Sequence, residues 1–223
     1  MGLLDLIFPK RCVACGRFGE YLCDKDKQKI QPAKAFCPVC LRAAIGGATH
    51  PKCKGKLSLD GLICMFDYKS PVKETVAELK YRFVTDLARI LEQEIRKSRF
   101  LDKYDFAGFT VIPVPLSRSR KNWRGFNQTE ILAKVVARRL KLTVAPEVLR
   151  KIRETKPQAK LRRKDRLKQV KGTFGLVSET VKGKKYIIFD DVWTTGATLK
   201  EVAAVLKRKG ASAVWGMTLA SSH

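Results

Sequence analysis

Hydrophobic residues follow two different periods along this chain, and the two periods alternate. Leu59–Tyr68 is a dense apolar run that reads as a strand. Ser70-Pro71 then offers a cap and a proline at the first helical position. Val72, Val76, Leu79 and Phe83 recur at helical spacing, as do Leu87, Leu91 and Ile95. That pattern predicts two helices with a break near Val84-Thr85. Thr110–Val114 is a short apolar strand, Ile131–Leu140 a helix, and Tyr186–Phe189 a compact run with β-branched residues. Ala197–Lys209 is a helix that stops at Gly210, and Ser212–Leu219 is a last strand. Strands alternating with helices imply βαβ units, an α/β fold and a mainly parallel sheet flanked by helices.

Two segments fall outside this alternation. Residues 1–58 are rich in Cys and Lys and short of long apolar patterns, so they form a small module ahead of a domain spanning 59–223. Arg150–Lys171 holds eleven Lys/Arg and two acids, contains Pro157 and has little periodicity. It reads as a long mobile loop on the α/β scaffold. A solvated basic helix is the alternative.

Charge narrows the range of partners. The 223 residues contain 46 Lys+Arg against 21 Asp+Glu, a net charge of +25. The hydrophobic fraction of 45% is enough for a core, which excludes global disorder. A balance this lopsided suits a polyanionic partner, either nucleic acid or a phosphorylated ligand. A surface charged only for solubility is the competing reading. No apolar run approaches the roughly 20 residues that a membrane helix requires. The first nine residues, Met1 to Pro9, lack a basic leader region and a small-residue cleavage site, which argues against a secretory signal. They read as a short helix packing on the rest of the protein, with membrane contact as the alternative. The expected location is cytoplasmic.

Six of the seven cysteines lie in the first 53 residues. Cys12-x-x-Cys15 and Cys37-x-x-Cys40 have the spacing of metal knuckles, in which a tight turn aims two thiolates at one ion. Zinc is the expected metal, in a closed structural site on which folding of the module depends. Cys23-x-x-Asp26 and His50-x-x-Cys53 share the spacing. Two groupings are open. One is two sequential ribbons, pairing 12/15 with 23/26 and 37/40 with 50/53. The other is a single four-thiol site of Cys12, Cys15, Cys37 and Cys40, with Cys23, His50 and Cys53 as a possible second set. The four-thiol grouping is preferred, because Asp26 is a poor ribbon ligand. Cys64 sits in an apolar strand and reads as a core thiol.

The most informative stretch is Tyr186-Ile-Ile-Phe-Asp-Asp-Val-Trp-Thr-Thr-Gly-Ala-Thr198. An apolar strand ends in two acids, and a Thr/Gly-rich turn then opens a helix. α/β sheets bind ligands at this kind of strand end. The turn presents backbone N–H groups and the hydroxyls of Thr194, Thr195 and Thr198 at a helix N-terminus, a cradle for phosphate. Gly196 allows close backbone approach. Asp190 and Asp191 are placed to accept hydrogen bonds from vicinal sugar hydroxyls. Together these features read as a ribose 5-phosphate site. A strand–turn–helix with capping acids is the plainer alternative.

This stretch resembles the 13-residue phosphoribosyl pyrophosphate motif of type I phosphoribosyltransferases. A second set of residues narrows the resemblance. Ile112-Pro-Val-Pro-Leu116, Arg118, Arg120, Arg124-Gly-Phe-Asn-Gln128 and Leu79-Lys-Tyr-Arg82 look like the ComF family of competence proteins. So do Arg153, Thr155, Gln158, Leu161, Arg166 and Gly172-Thr-Phe174, together with the N-terminal Cys-rich ribbon. The family commonly has Cys at the positions of Asp26 and His50, which puts a second zinc site in doubt. The resemblance implies a type I phosphoribosyltransferase-like sheet with a small N-terminal zinc-ribbon module. It implies that Asp190 and Asp191 hold the ribose hydroxyls and that Thr194, Thr195, Gly196, Ala197 and Thr198 hold the 5′-phosphate. The turn Pro115–Ser117 would approach pyrophosphate, with Arg118, Arg120, Lys80 and Arg82 as counter-charges and Mg²⁺ bridging ligand oxygens. Arg153, Thr155, Gln158 and Arg166 would belong to a flap closing over the site. The family is also associated with natural transformation. That implies single-stranded DNA, a helicase-like competence ATPase and a membrane DNA channel as partners, with membrane association through them.

Single-stranded DNA would be held by Arg120, Arg124, Arg162, Arg163 and Lys164. Trp123 and Phe126 interleave with the first of these, a combination able to track phosphates and stack bases. Core packing of the two rings is the alternative. The leading functional expectation is a DNA-uptake accessory protein that binds single-stranded DNA and a phosphoribosyl pyrophosphate-type ligand. The alternative is an active phosphoribosyltransferase moving ribose 5-phosphate to a base or amine. A ligand-sensing regulator ranks third, because no helix-turn-helix is visible.

Overall fold

A computed structural model describes residues 9–79, 84–97, 99–154, 169–177 and 181–223. The leader segment 1–8 and the expected ligands Lys80 and Arg82 lie outside the described residues. So do Phe83, the flap residues Thr155, Gln158 and Arg166, and the DNA candidates Arg162, Arg163 and Lys164.

A short helix, α1 (Asp24–Lys27), lies in the Cys-rich segment. The domain then runs β1 (Gly61–Asp67), α2 (Val72–Glu78), α3 (Val84–Lys97), β2 (Phe109–Pro113), α4 (Arg118–Arg124), α5 (Gln128–Leu140) and β3 (Thr143–Val144). It continues with β4 (Leu149–Lys151), β5 (Phe174–Leu176), β6 (Lys185–Trp193), α6 (Ala197–Arg208) and β7 (Ala213–Ser221). Five strands form one parallel sheet in the order β1-β7-β6-β2-β3. β4 and β5 make a separate antiparallel pair. The expected parallel α/β sheet is therefore present. The basic segment Arg150–Lys171, expected to be a loop from its first residue, begins on strand β4.

Side chains alternate across the sheet with the period of two that a pleated strand imposes. On β6, Ile187 and Phe189 face a core shared with α2, α3 and α5, through Val72, Leu87, Leu91, Leu132 and Val136. Tyr186 and Ile188 face the opposite core, with Leu199, Val202 and Leu206 of α6. Burial on both faces explains the unbroken apolar run at the centre of β6.

The two layers also locate a crevice. The connection leaving β2 runs through α5 on one face to β3, and the connection leaving β6 runs through α6 on the other face to β7. Strand order reverses between β2 and β6, and such switch points are where open α/β sheets bind ligands.

The Cys-rich segment lies along the outer edge of β1. The Ala33 amide donates to Met65 O (3.1 Å) and the Asp67 amide to Gln31 O (2.9 Å). Farther along, the Thr49 amide donates to Asp60 O (2.9 Å) and its hydroxyl to Leu59 O (2.6 Å). The segment thereby covers a strand edge that would otherwise expose unpaired backbone groups. Cys64 is buried on β1 and accepts a hydrogen bond from Thr218 (3.2 Å), and burial pushes its thiol up to about 11. It is the core thiol its strand predicts.

Candidate functional site

A cavity of about 660 Å³ opens at the carboxyl ends of β2 and β6. Its floor is Asp190 to Leu199, the end of β6 and the first turn of α6. The two acids lie within β6 rather than beyond it, because β7 continues alongside and pairs Asp190 with Thr218 and Trp193 with Ser221. Each acid also braces the strand end: Asp190 accepts from the Asp191 amide (2.9 Å) and Asp191 from the Val192 amide (2.7 Å). Gly196 then turns the chain with φ +72° and caps α6. The Ala197 amide donates to Thr195 Oγ1 (3.3 Å). Thr194, Thr195, Gly196, Ala197 and Thr198 all line the cavity. Residues of the loop thus line the same space as the two acids, the juxtaposition expected of a ribose phosphate site.

The opposite wall comes from the connection after β2. Ser117, just before α4, and Arg120, Trp123 and Arg124, on one face of α4, line the cavity. Of the two α4 arginines expected to meet pyrophosphate, Arg120 is in the cleft. Arg118 is exposed and does not line it, because its place on the helix turns its side chain off that face. Trp123 is 70% exposed, which removes core packing as its role, whereas Phe126 is half-buried. The residues Gly125-Phe-Asn-Gln128 act structurally. Asn127 caps α5 by accepting from the Thr129 amide (3.1 Å) and ties it to β2 by donating to Val114 O (3.2 Å). Gln128 accepts from Arg124 (2.6 Å) and holds that guanidinium at the cavity wall.

Two residues that sequence reasoning did not single out, Lys151 and Glu154, support this wall, and Thr173 of the Gly172-Thr-Phe174 match adds to it. Lys151 of β4 lines the cavity, and burial followed by the charge of Arg120 pushes its ammonium below the usual lysine range. Glu154 accepts hydrogen bonds from the Ser119 hydroxyl (3.2 Å) and amide (3.4 Å), pinning the start of the basic segment to α4. Burial raises its carboxyl, but the serine hydrogen bonds and Lys151 bring it below the usual range. Thr173 is buried at the far end of that segment and lines the cavity. The only sequence signal for Lys151 and Glu154 was membership of the basic stretch. Arg153, assigned to the flap, is exposed just before the chain leaves the described residues.

The cysteine pairs assemble differently from the preferred expectation. Cys12, Cys15, Cys23 and Asp26 form one cluster and Cys37, Cys40, His50 and Cys53 another, each with its ligand atoms within 4.8 Å of one another. The single site of Cys12, Cys15, Cys37 and Cys40 is therefore incorrect, and the two sequential ribbons are the arrangement present. The physical reason is local: each knuckle is followed within the same short fold by its own second pair. Cys15 and Cys23 sulfurs are 3.8 Å apart, and Asp26 Oδ2 lies 3.2 Å from both Cys12 and Cys23 sulfurs. A tetrahedral ion with metal–sulfur bonds of about 2.3 Å separates its sulfur ligands by about 3.8 Å.

Asp26 is 2% exposed, and its other oxygen binds Lys29 (2.6 Å). Hydrogen bonds from Cys15 and then Lys29 hold its carboxyl well below the usual range. In the second cluster, His50 Nδ1 lies 3.3 Å from Cys40 Sγ, while Nε2 meets Ala43 O (3.1 Å). An imidazole donating from Nε2 offers its Nδ1 lone pair to a metal. Both clusters fit a metal ion.

Residues 128–222 match the phosphoribosyl transferase domain family. The chain is 32% identical over 203 residues to the DNA utilization protein YhgH of Salmonella typhimurium, across 86% of this chain and 87% of that protein. It is 28% identical over 212 residues to the competence protein ComFC of Bacillus subtilis, across 91% of this chain and 85% of that one. This chain belongs to the ComF-like family. Competence protein F of Haemophilus influenzae is a further relative, 29% identical over 175 residues, across 75% of this chain and 76% of that one. The ComF-like assignment agrees with the order of motifs, with the phosphoribosyltransferase-type sheet and with the N-terminal cysteine clusters. The domain match contains β6, its Thr/Gly loop and Lys151, so it covers the floor of the cleft but begins after α4.

Proposed function

We propose that this ComF-like protein serves DNA uptake or utilization in the cytoplasm. In this reading it handles single-stranded DNA and holds a phosphoribosyl pyrophosphate-type ligand in the cleft between β2 and β6. One observation carries the reading: the phosphate-cradling loop, the paired acids and a basic wall bearing an exposed indole share a single cavity. Its volume is in the range of about 300–1,000 Å³ usual for small-molecule sites. The loop amides and Thr hydroxyls take the 5′-phosphate, and Asp190 and Asp191 accept the ribose hydroxyls. Arg120 and Lys151 face the pyrophosphate. Mg²⁺, a hard cation that prefers oxygen, suits the two carboxylates and the ligand oxygens and would neutralise pyrophosphate charge. Zinc suits both N-terminal clusters, whose donors are thiolates with one imidazole and one carboxylate. Its role there is structural.

The DNA part of the proposal draws on the names of the relatives and on α4. Arg120, Lys121, Trp123 and Arg124 put cations and a stacking surface side by side at the mouth of the cleft. A helicase-like ATPase and a membrane channel are the proposed partners in uptake.

Calorimetry of zinc-loaded protein with phosphoribosyl pyrophosphate and Mg²⁺ tests the ligand reading, with Asp190→Asn/Asp191→Asn as the control. Micromolar binding that is lost in the control is the expected result. A well-folded wild type that binds no ligand refutes it. Release of pyrophosphate in the presence of a candidate base or amine would shift the conclusion to an active transferase.

A further inference from the structure

The phosphate loop stands on a buried aromatic, and that aromatic leans on a metal knuckle. Trp193 ends β6 and is buried. Its indole fills the space beneath Gly196 so closely that a Cβ there would come within 2.1–2.6 Å of three ring atoms. Lys200 of α6 sits 5.6 Å from the indole centroid. The ring is thus held from the loop side.

On its other side lies Phe36, the residue before Cys37. The two ring centroids are 5.9 Å apart, and Phe36 is buried in the same core as Trp193 and α6. His223 packs edge-on against Phe36 (4.6 Å), and its Nε2 donates to the carbonyl of Leu41, the residue after Cys40 (2.8 Å). Ser222 closes the circuit by donating its amide to Trp193 O (3.0 Å). The knuckle turn itself is short: the Leu41 amide donates to Cys37 O (2.9 Å) and the Cys37 amide to Arg42 O (2.9 Å).

The first cluster has no such link among the described residues. Its apolar neighbours Val13 and Tyr21 pack against the opposite core, with α2, α3 and α5. The two clusters are chemically similar but lie against opposite faces of the sheet.

We infer that Phe36 is a positioning residue for the phosphate loop. Through it, metal bound by Cys37, Cys40, His50 and Cys53 and ligand bound at Thr194–Thr198 stabilise each other. The inference rests on the ligand reading above. A knuckle this small takes its fold from its metal. Metal loss therefore frees Phe36 and Leu41, and Trp193 loses one of the walls that keep the loop in its cradle shape. Coupling of this kind is reciprocal, so ligand must in turn hold the metal more firmly. Metal in the first cluster carries no such coupling.

The test uses the full zinc-loaded chain. Zinc release to a chromophoric chelator is followed with and without phosphoribosyl pyrophosphate and Mg²⁺. The same additions to Asp190→Asn/Asp191→Asn protein correct for zinc taken by free pyrophosphate. Ligand is expected to slow release from one of two sites at least threefold, and Phe36→Ala to abolish the slowing. Ligand affinity is expected to fall at least tenfold in Phe36→Ala and in Cys53→Ser. It should stay within twofold of wild type in Cys15→Ser, and Phe36→Leu should recover most of the loss. Calorimetric binding by wild type with unchanged zinc release overturns the coupling while leaving the ligand reading intact. Equal losses from the two clusters overturn it as well. No ligand binding at all overturns the ligand reading, and the coupling with it. The wild-type release measurement decides the matter even if Phe36→Ala does not fold.

Discussion

Gly196→Ala probes how tightly the Thr194–Thr198 loop is held. Two costs add at this position. The backbone has φ +72°, a left-handed conformation that costs an L-residue about 1–2 kcal/mol. The new Cβ also falls 2.1 Å from the nearest Trp193 ring atom, and the indole is backed by Phe36. Forcing a buried ring to shift in a packed core costs about 1–3 kcal/mol. The expected destabilisation is their sum, about 2–5 kcal/mol. Gly125 separates the two contributions: its φ is +76°, but a methyl added there would meet nothing within 4 Å. Gly125→Ala should therefore cost only the backbone part, about 1–2 kcal/mol. Urea unfolding at a fixed zinc concentration measures both variants, compared at equal m-value. Trp193→Leu combined with Gly196→Ala should recover part of the steric cost, giving a coupling of opposite sign to the single losses. If Gly196→Ala costs no more than Gly125→Ala, the indole does not constrain the loop. The support of the loop by Trp193 is then refuted.

Other expectations follow from single residues. Lys151 has its pKa depressed by burial and by Arg120, and an anionic ligand restores its charged form. Ligand affinity should therefore be fully present below that depressed pKa and decline as pH rises through it. Lys151→Arg should extend binding to higher pH, measured by calorimetry across an alkaline series. Metal analysis by mass spectrometry should find two ions per chain, with one lost in Cys15→Ser and the other in Cys53→Ser. Two ions retained in either variant would contradict the grouping of the clusters. For single-stranded DNA, Trp123→Ala should weaken binding by about 1–3 kcal/mol with the salt dependence unchanged. Arg120→Gln should instead reduce the slope of log K against log salt by about 0.7, measured by fluorescence anisotropy.

How far the sequence could be read depended on whether the deciding interaction was local. The run Tyr186–Phe189 and the helix from Ala197 were legible because burial on two faces and helical periodicity write themselves into neighbouring residues. The continuation of β6 to Trp193 was not, because Asp190 and Asp191 look like a strand end and only pairing with β7 carries them on. The candidate metal ligands show the same limit. All four pairs have the same two-residue spacer, so spacing picks out candidates without saying which pairs cluster together.

Asp26 is a poor ribbon ligand by residue type, yet burial and two sulfur neighbours place its carboxylate among the candidate donors, and Lys29 keeps it ionised. Phe36, Leu41 and Ser222, which pack or bond around Trp193 and His223, carry no chemistry that a motif would display. They act through contacts between segments far apart in the chain, as Phe36 does with Trp193. The exposed, reactive parts of this cleft are therefore the parts a sequence reveals. Beneath them Phe36, beside a cysteine knuckle, packs against Trp193 at a strand end, and only the fold brings the two together.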